Sequence, residues 1–454
     1  MIKKAISLFA AAAVLLTFFA PAAFAKDYGM TQETASKEVY LVCTDTGEVI
    51  YAKDADERIA PASTVKILSA ALAMTMCADL EGTVVTAPDG LWNEFDGLDV
   101  SSVGIQAGEQ LTMYDLLCCM LISSANEAAS TVASYFGYDA FVAAMNAKAA
   151  ELGCTGSHFV DPHGVFDADY TTAADMYRIA AWAATVPGFL EICGKTSYTV
   201  PATNKSDARE LLPTNDMIVK TSGYYTDYIK GGKTGTTSDE NGDWWRFLVT
   251  YAEKDGVSYI LVCMGAPYDE YSTRIWEKGN SVYTDTRVVL DWAFENIELK
   301  SPITTTSPVT EIRLRYASQK DSLILYPETE VFAAFNRSSD AEPVVEYEVT
   351  ELPDYVNAPV ENGQVIGKAR VTLDGEDIGE INLVSRETVE LSRFAFVIDN
   401  LTVILTSTVA KIIYAVLLVI VLLYLYYMLV LVPRARKRYA ARKKKNAARR
   451  DGER

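Results

Sequence analysis

The chain has 454 residues, enough for two or three domains with a sizeable core. Half of it is hydrophobic and its formal net charge is −19, which argues against a nucleic-acid partner and prompts a search for membrane segments. Seven cysteines, an odd number without framework spacing that identifies no disulfide pair, read mostly as buried thiols; two histidines and no Cys-x-x-Cys pair point away from a zinc site, so no metal is expected.

In chain order, "MIKKAISLFAAAAVLLTFFAPAAFA" (1–25) starts basic, turns apolar and ends Ala23-Phe24-Ala25. That pattern predicts a secretory signal cut after Ala25. "KEVYLVCTDTGEVIYAKDADE" reads as a hairpin about Asp45, Thr46 and Gly47. A helix is expected from Ser63, and 112–185 carry apolar residues at helical spacing. The loop "FVDPHGVFDADYT" interrupts them at Pro162 and Gly164. Two strand-like runs then flank Lys254-Asp255-Gly256, a hairpin signal, and "VYTDTRVVLDWAFENI" closes as a helix. Strands at both ends with helices between predict one α/β domain over 30–297 whose sheet joins its start to its end.

Residues 298–309, "LKSPITTTSPV" at their core, have linker composition. Over 310–393, "TEIRLRY", "DSLILY", "VVEYEV", "GKARVTLDG" and "GEINLV" alternate with turns, as in a small all-β domain. A membrane-proximal segment, 394–411, precedes 412–432, which hold no charge. At about 1.5 Å per residue that stretch reaches about 30 Å, a membrane span. The tail, 433–454, carries 11 basic and 2 acidic residues, which belongs on the cytoplasmic side and leaves the bulk of the chain outside. The basic tail is thereby a stop-transfer flank rather than a nucleic-acid site.

Three short motifs carry the chemistry. "APASTVKILSA" sets Ser63 three residues before Lys66, one face of a helix, so the amine can reach the hydroxyl. "MLISSANEAAS" gives Ser124-Ala125-Asn126 between helical segments, and "IKGGKTGTTSDENGDWW" gives Lys233-Thr234-Gly235 where a strand is expected. Each alone reads as an ordinary cap or turn; the ordered set is specific. A serine hydroxyl needs a base, and a lysine serves only if desolvation or a second cation, with Lys233 the candidate, lowers its pKa. The helix N-terminus at Ser63 adds partial positive charge for an oxyanion.

This trio resembles that of the low-molecular-weight penicillin-binding proteins, serine-type D-Ala-D-Ala carboxypeptidases of the peptidase S11 family. "FVDPHG", "YTTAADM" and "APVENGQVIGKARVTLDG" are similar to further family segments in family order. "LLPTNDMI" matches only in part, and "KTSGYYTDYIK" is long for the family. The resemblance implies a β-lactamase/transpeptidase-like α/β domain, an antiparallel sheet flanked by helices with a helical lobe, followed by a small all-β domain and a C-terminal membrane anchor; the family's anchor is often an amphipathic helix, whereas this chain's reads as a transmembrane helix. It implies no cofactor. Its substrate would be the peptidoglycan stem peptide ending in D-Ala-D-Ala, with β-lactams as inhibitors. Ser63 would be the nucleophile, with the N–H groups of Ser63 and Thr236 as oxyanion hole. Ser124 would relay a proton between Lys66 and the leaving amine, and Asn126 would hold the substrate amide and orient Lys66. Lys233 and Thr234 would bind the terminal carboxylate, with Arg274 as a second contact. Gly235 would let the substrate backbone approach the strand.

Competing readings share these residues. A β-lactamase needs neither the all-β domain nor the anchor, and no deacylating glutamate loop follows Ser124-x-Asn126. A transpeptidase differs only in its acceptor. A silent wall-binding scaffold has no need of Ser63 or Lys66. A Ser-His-Asp triad using His163 with Asp161 or Asp175 lacks the Gly-x-Ser-x-Gly elbow, and "DPHG" reads as a turn with a structural histidine.

Overall fold

The computed structural model describes residues 26–239, 241–268, 281–317, 320–338 and 343–451. The signal segment and Arg274 lie outside these residues. The described chain forms two compact units, 26–302 with 332–338 and 303–331 with 343–451.

The first unit is built on a five-stranded antiparallel sheet: β1 (Glu38–Cys43), β2 (Val49–Lys53), β3 (Ile229–Ser238), β4 (Trp244–Lys254) and β5 (Val257–Tyr268), in the order β2-β1-β5-β4-β3. The start of the chain thus pairs with its last strand. Between β4 and β5 only Asp255 and Gly256 remain, both at positive φ, 53° and 82°. Their left-handed conformations make the two-residue turn that matches strand twist.

Side-chain alternation gives each face of this sheet its own core. Phe247, Val249 and Tyr251 point into a helical lobe, while Leu248 and Ala252 pack on the other face with Tyr283, Val289 and Leu290. Those last residues belong to the helix Ser281–Asn296. The lobe centres on α1 (Lys66–Met76), an Ala- and Leu-rich helix buried continuously from Lys66 to Met74. Around it lie α2 (Met113–Leu121), α3 (Asn126–Phe136), α4 (Tyr138–Glu151) and α5 (Ala173–Thr185). Thr112 and Asp115 start α2 with a capping box, and the Thr172 hydroxyl accepts the Asp175 N–H to start α5. Each fully buried Leu, Ile or Phe of this core contributes roughly 1.5–3 kcal/mol.

The linker expected over 298–309 is in part a strand. Ile297–Ile303 pairs with Val331–Asn336, and Ala334 joins the core beneath the terminal helix. A Pro- and Thr-containing composition hid this strand, because its partner lies some 30 residues further on.

The second unit is a six-stranded sheet in the order Val345–Glu351, Val365–Leu373, Glu376–Ser385, Ser322–Pro327, Thr310–Arg315, Val356–Asn357. Ile312, Leu314, Leu323, Leu325, Ala369 and Leu383 form its core. Beyond it, Arg393–Thr406 is a helix held by Tyr316, whose hydroxyl donates to Asp399 Oδ2 at 2.9 Å and whose ring meets Phe396 edge-on. The Ser407 hydroxyl then caps a new helix at Ala410 N.

Helix runs on from Thr408 through the apolar stretch into the basic tail, with one π-helical turn at Tyr427–Leu431. Pro433 does not stop it. Proline lacks the N–H and crowds the carbonyl four residues back, here Leu429, and the wider π turn just before it accommodates that. The apolar part is long enough to cross a membrane.

Candidate active site

Ser63 lies in a single 3-10 turn, Ala62–Val65, that leads into α1. Two close backbone approaches hold this turn. A Cβ on Gly235 of β3 would meet Ala62 Cβ at 3.2 Å and Ser63 N at 3.3 Å. A Cβ on Gly164, already at φ +78°, would sit 1.9 Å from Ala62 O. The missing side chain at Gly235 therefore admits the nucleophile's own turn. Ala62 itself has φ 47°, a sparsely populated conformation for a residue with a Cβ.

Lys66, one helical turn on, is wholly buried. Its Nζ donates to Ser63 Oγ at 2.9 Å, Asn126 Oδ1 at 2.6 Å and the His163 carbonyl at 2.8 Å. Three acceptors match the three N–H bonds of its protonated form; once neutral, its lone pair faces the Ser63 hydroxyl. Burial brings its pKa down to about 7, against the opposing pull of Asp161 and Glu127. Desolvation is thus the larger cause of a usable base. The second cation makes itself felt on the other lysine: Lys233 is held well below the usual lysine range, first by burial and then by Lys66.

Asn126 opens α3, and its position is fixed from behind. Its backbone N–H and Nδ2 both donate to the Ser101 carbonyl, at 2.9 and 3.1 Å, which turns Oδ1 towards Lys66. Ser124 sits between α2 and α3 at φ 61° and accepts from Lys233 Nζ at 2.9 Å. Lys233 Nζ also donates to the Thr234 carbonyl at 2.7 Å. Thr234 and Thr214 share a hydroxyl–hydroxyl hydrogen bond. Two hydrogen-bonded groups therefore meet here, Ser63–Lys66–Asn126 and Ser124–Lys233–Thr234, brought together where Gly235 packs on Ser63 and where Lys66 and Lys233 act on each other electrostatically, with Thr236 next along β3.

The loop after α4 supplies the floor. Asp161 accepts the N–H groups of His163, Gly164 and Phe166 and lies 2.9 Å from His163 Nδ1. The buried His163 ring reaches Glu94 at 3.5 Å on its other side. The flanking carboxylates raise its pKa despite the opposing effect of burial. Its backbone, and not its ring, contacts Lys66, so no Ser-His-Asp triad exists here. Asp175 is engaged elsewhere, with Arg178, Ser157 and Gly156.

Four partners escaped the sequence reading. The His163 carbonyl is a backbone group and leaves no residue-type signal. Glu127 anchors the loop over α3 by accepting from Ser102, Val103 and Gly104. Thr214 lies in the partly matching "LLPTNDMI" stretch, and Arg246 is revealed only by strand register. Among the described residues no His, Cys, Asp and Glu cluster could hold a metal ion.

Known proteins similar to this chain identify its family. Residues 25–268 match the D-alanyl-D-alanine carboxypeptidase family, peptidase S11. The chain belongs to that family. Residues 298–391 match the C-terminal domain of penicillin-binding protein 5, which favours a carboxypeptidase over a free-standing β-lactamase. The D-alanyl-D-alanine carboxypeptidase DacF of Bacillus subtilis is 27% identical over 389 residues, covering 84% of this chain and 93% of the relative. DacC of Escherichia coli is 26% identical over 396 residues, 85% of this chain and 92% of its own. The structure of penicillin-binding protein 5 from Haemophilus influenzae superposes with TM-score 0.60 at 25% identity, over 80% of this chain and 99% of that one. The S11 fold and a serine-type carboxypeptidase chemistry are thus common to sequence, site and relatives.

Proposed function

We propose that this protein removes the terminal D-alanine from peptidoglycan stem peptides through an acyl-enzyme on Ser63. Neutral Lys66 takes the Ser63 proton as Oγ bonds to the carbonyl carbon of the penultimate D-alanine. The N–H groups of Ser63 and Thr236 receive the oxyanion. The proton passes by way of Ser124 to the leaving nitrogen, the C–N bond breaks, and D-alanine departs. Water then attacks the ester carbon while Lys66 takes its proton; the C–Oγ bond breaks, Lys66 returns that proton to Ser63 Oγ, and the shortened peptide leaves as the acid. A β-lactam would acylate the same oxygen.

The observation that carries this reading is the buried Lys66 amine, 2.9 Å from Ser63 Oγ and with its pKa brought to about 7. An amine so placed is a base in neutral medium, which an exposed lysine is not. The apolar helix and the basic tail support a single-pass anchor with the tail cytoplasmic and the catalytic unit outside, where this substrate lies. The test uses the full chain in detergent with a synthetic peptide ending in D-Ala-D-Ala. Free D-alanine should appear with the wild type and vanish with Ser63→Ala; undiminished release by the variant would overturn the assignment.

A further inference from the structure

One buried ring beside the base has no part in the steps above. The His163 side chain is fully buried, with a carboxylate at each nitrogen: Asp161 Oδ1 lies 2.9 Å from Nδ1, and Glu94 Oε2 lies 3.5 Å from Nε2. A neutral imidazole has one N–H and one lone pair, so it would turn the lone pair on one of these oxygens. The imidazolium meets both with an N–H, and the Val165 N–H, 3.3 Å from Nδ1, is the weaker contact there. Phe95 and Phe166 close on the ring at centroid distances of 5.1 and 5.5 Å.

Each element around the ring supplies a charged or titratable group. Its own loop gives Asp161 and Asp169, and the turn Asn93–Phe95 gives Glu94. From α4, the Tyr138 hydroxyl donates to Glu94 at 3.0 Å; α1 gives Lys66, on which Glu127 of α3 also acts. Burial first, and then Asp161, pushes the Asp169 pKa up to about 7. Asp161 is the ionised member of that pair: burial opposes its charge, and the His163 ring overcomes the opposition. Burial is also the main influence keeping Lys66 neutral, and the Asp161 carboxylate is the largest one against it. A bare carboxylate near a buried amine holds a proton on it. The imidazolium stands against that carboxylate, and the repulsion between the His163 and Lys66 cations is mutual.

We infer that His163 is a positioning residue of the reaction: its charged ring, clamped between Asp161 and Glu94, balances the Asp161 carboxylate and so leaves the Lys66 amine free to act as a base. This rests on the carboxypeptidase reading above, in which Lys66 takes the Ser63 proton. It adds a second role to His163, whose carbonyl holds Lys66 in place while its ring offsets the charge nearby.

The experiment follows acylation of the full-length protein in detergent by benzylpenicillin from pH 5 to 10. The wild-type rate should rise through about 7. His163→Asn keeps an N–H for Asp161 and removes the charge. Its rise should move up by about one pH unit, a roughly tenfold loss on the acid side, with the wild-type rate regained on the alkaline plateau. Glu94→Gln, which spares the ring and its packing, should move the rise the same way by less. Asp169→Asn should leave it in place. A merely structural ring would scale the rate alike at every pH. That result in His163→Asn, or in Glu94→Gln should His163→Asn not fold, overturns the inference, as does a rise that moves with Asp169→Asn instead. A wild type that benzylpenicillin does not acylate, or whose rate is flat with pH, removes the reading beneath it as well.

Discussion

In the peptidase unit the buried interior holds Lys66, Lys233, Glu109, Glu127, Asp161 and His163, whereas in the second unit Ser385 is the only buried polar residue among those described. Both units have apolar cores; they differ in what else they enclose. Charged groups are expensive to bury without partners. Here each is held by something specific: Glu109 by Arg209, Glu127 by a row of backbone N–H groups, Asp161 by its own loop, and Lys66 by Ser63, Asn126 and a carbonyl. The unit that does chemistry is the one whose fold keeps these groups out of water. The second unit is a sheet whose interior does packing alone.

Exchanging Lys66 for arginine would break that contrast most severely. A guanidinium stays charged and cannot accept the Ser63 proton, so Lys66→Arg should slow acylation by about 10³-fold or more. The wild-type acylation rate should rise with pH through about 7, because Lys66 must lose its proton to act; a pH–rate profile flat from 5 to 9 would remove Lys66 as the base.

Gly164→Ala comes next. Its Cβ would collide with the Ala62 carbonyl and its φ is left-handed, so a loss of about 3–5 kcal/mol is expected in denaturant titration, together with slower acylation. In the second unit, Leu325→Ala opens a cavity at a fully buried position and should cost about 2–4 kcal/mol. Its penicillin acylation rate should equal the wild type's. Smallest of all is Lys320→Ala: the Lys320–Glu387 pair is exposed on both sides, and thermal melting should register less than about 1 kcal/mol.

The contrast also explains what the sequence could reveal. Ser63-x-x-Lys66, Ser124-x-Asn126 and Lys233-Thr234-Gly235 are local spacings of side chains, so they stand out in one dimension. The Asp255-Gly256 turn and the alternating runs of the second unit are local as well, and both form as read. The strand Val331–Asn336 packing with the peptidase unit is non-local, as are Arg246 facing Thr236 and Thr214 facing Thr234. These depend on register, which no short window contains. The His163 carbonyl and Glu127's backbone donors belong to the main chain, which every residue has, so residue type cannot flag them. His163 drew notice for its ring, yet it touches Lys66 through its backbone.

The central claim is that Ser63, driven by a buried neutral Lys66, forms the covalent bond. Mass spectrometry of the full-length protein after brief exposure to benzylpenicillin tests it directly. A gain of one penicillin mass, located to the peptide containing Ser63 and lost in Ser63→Ala, is the expected result. An adduct on another residue, or a protein left unmodified with the penicillin intact, would contradict it.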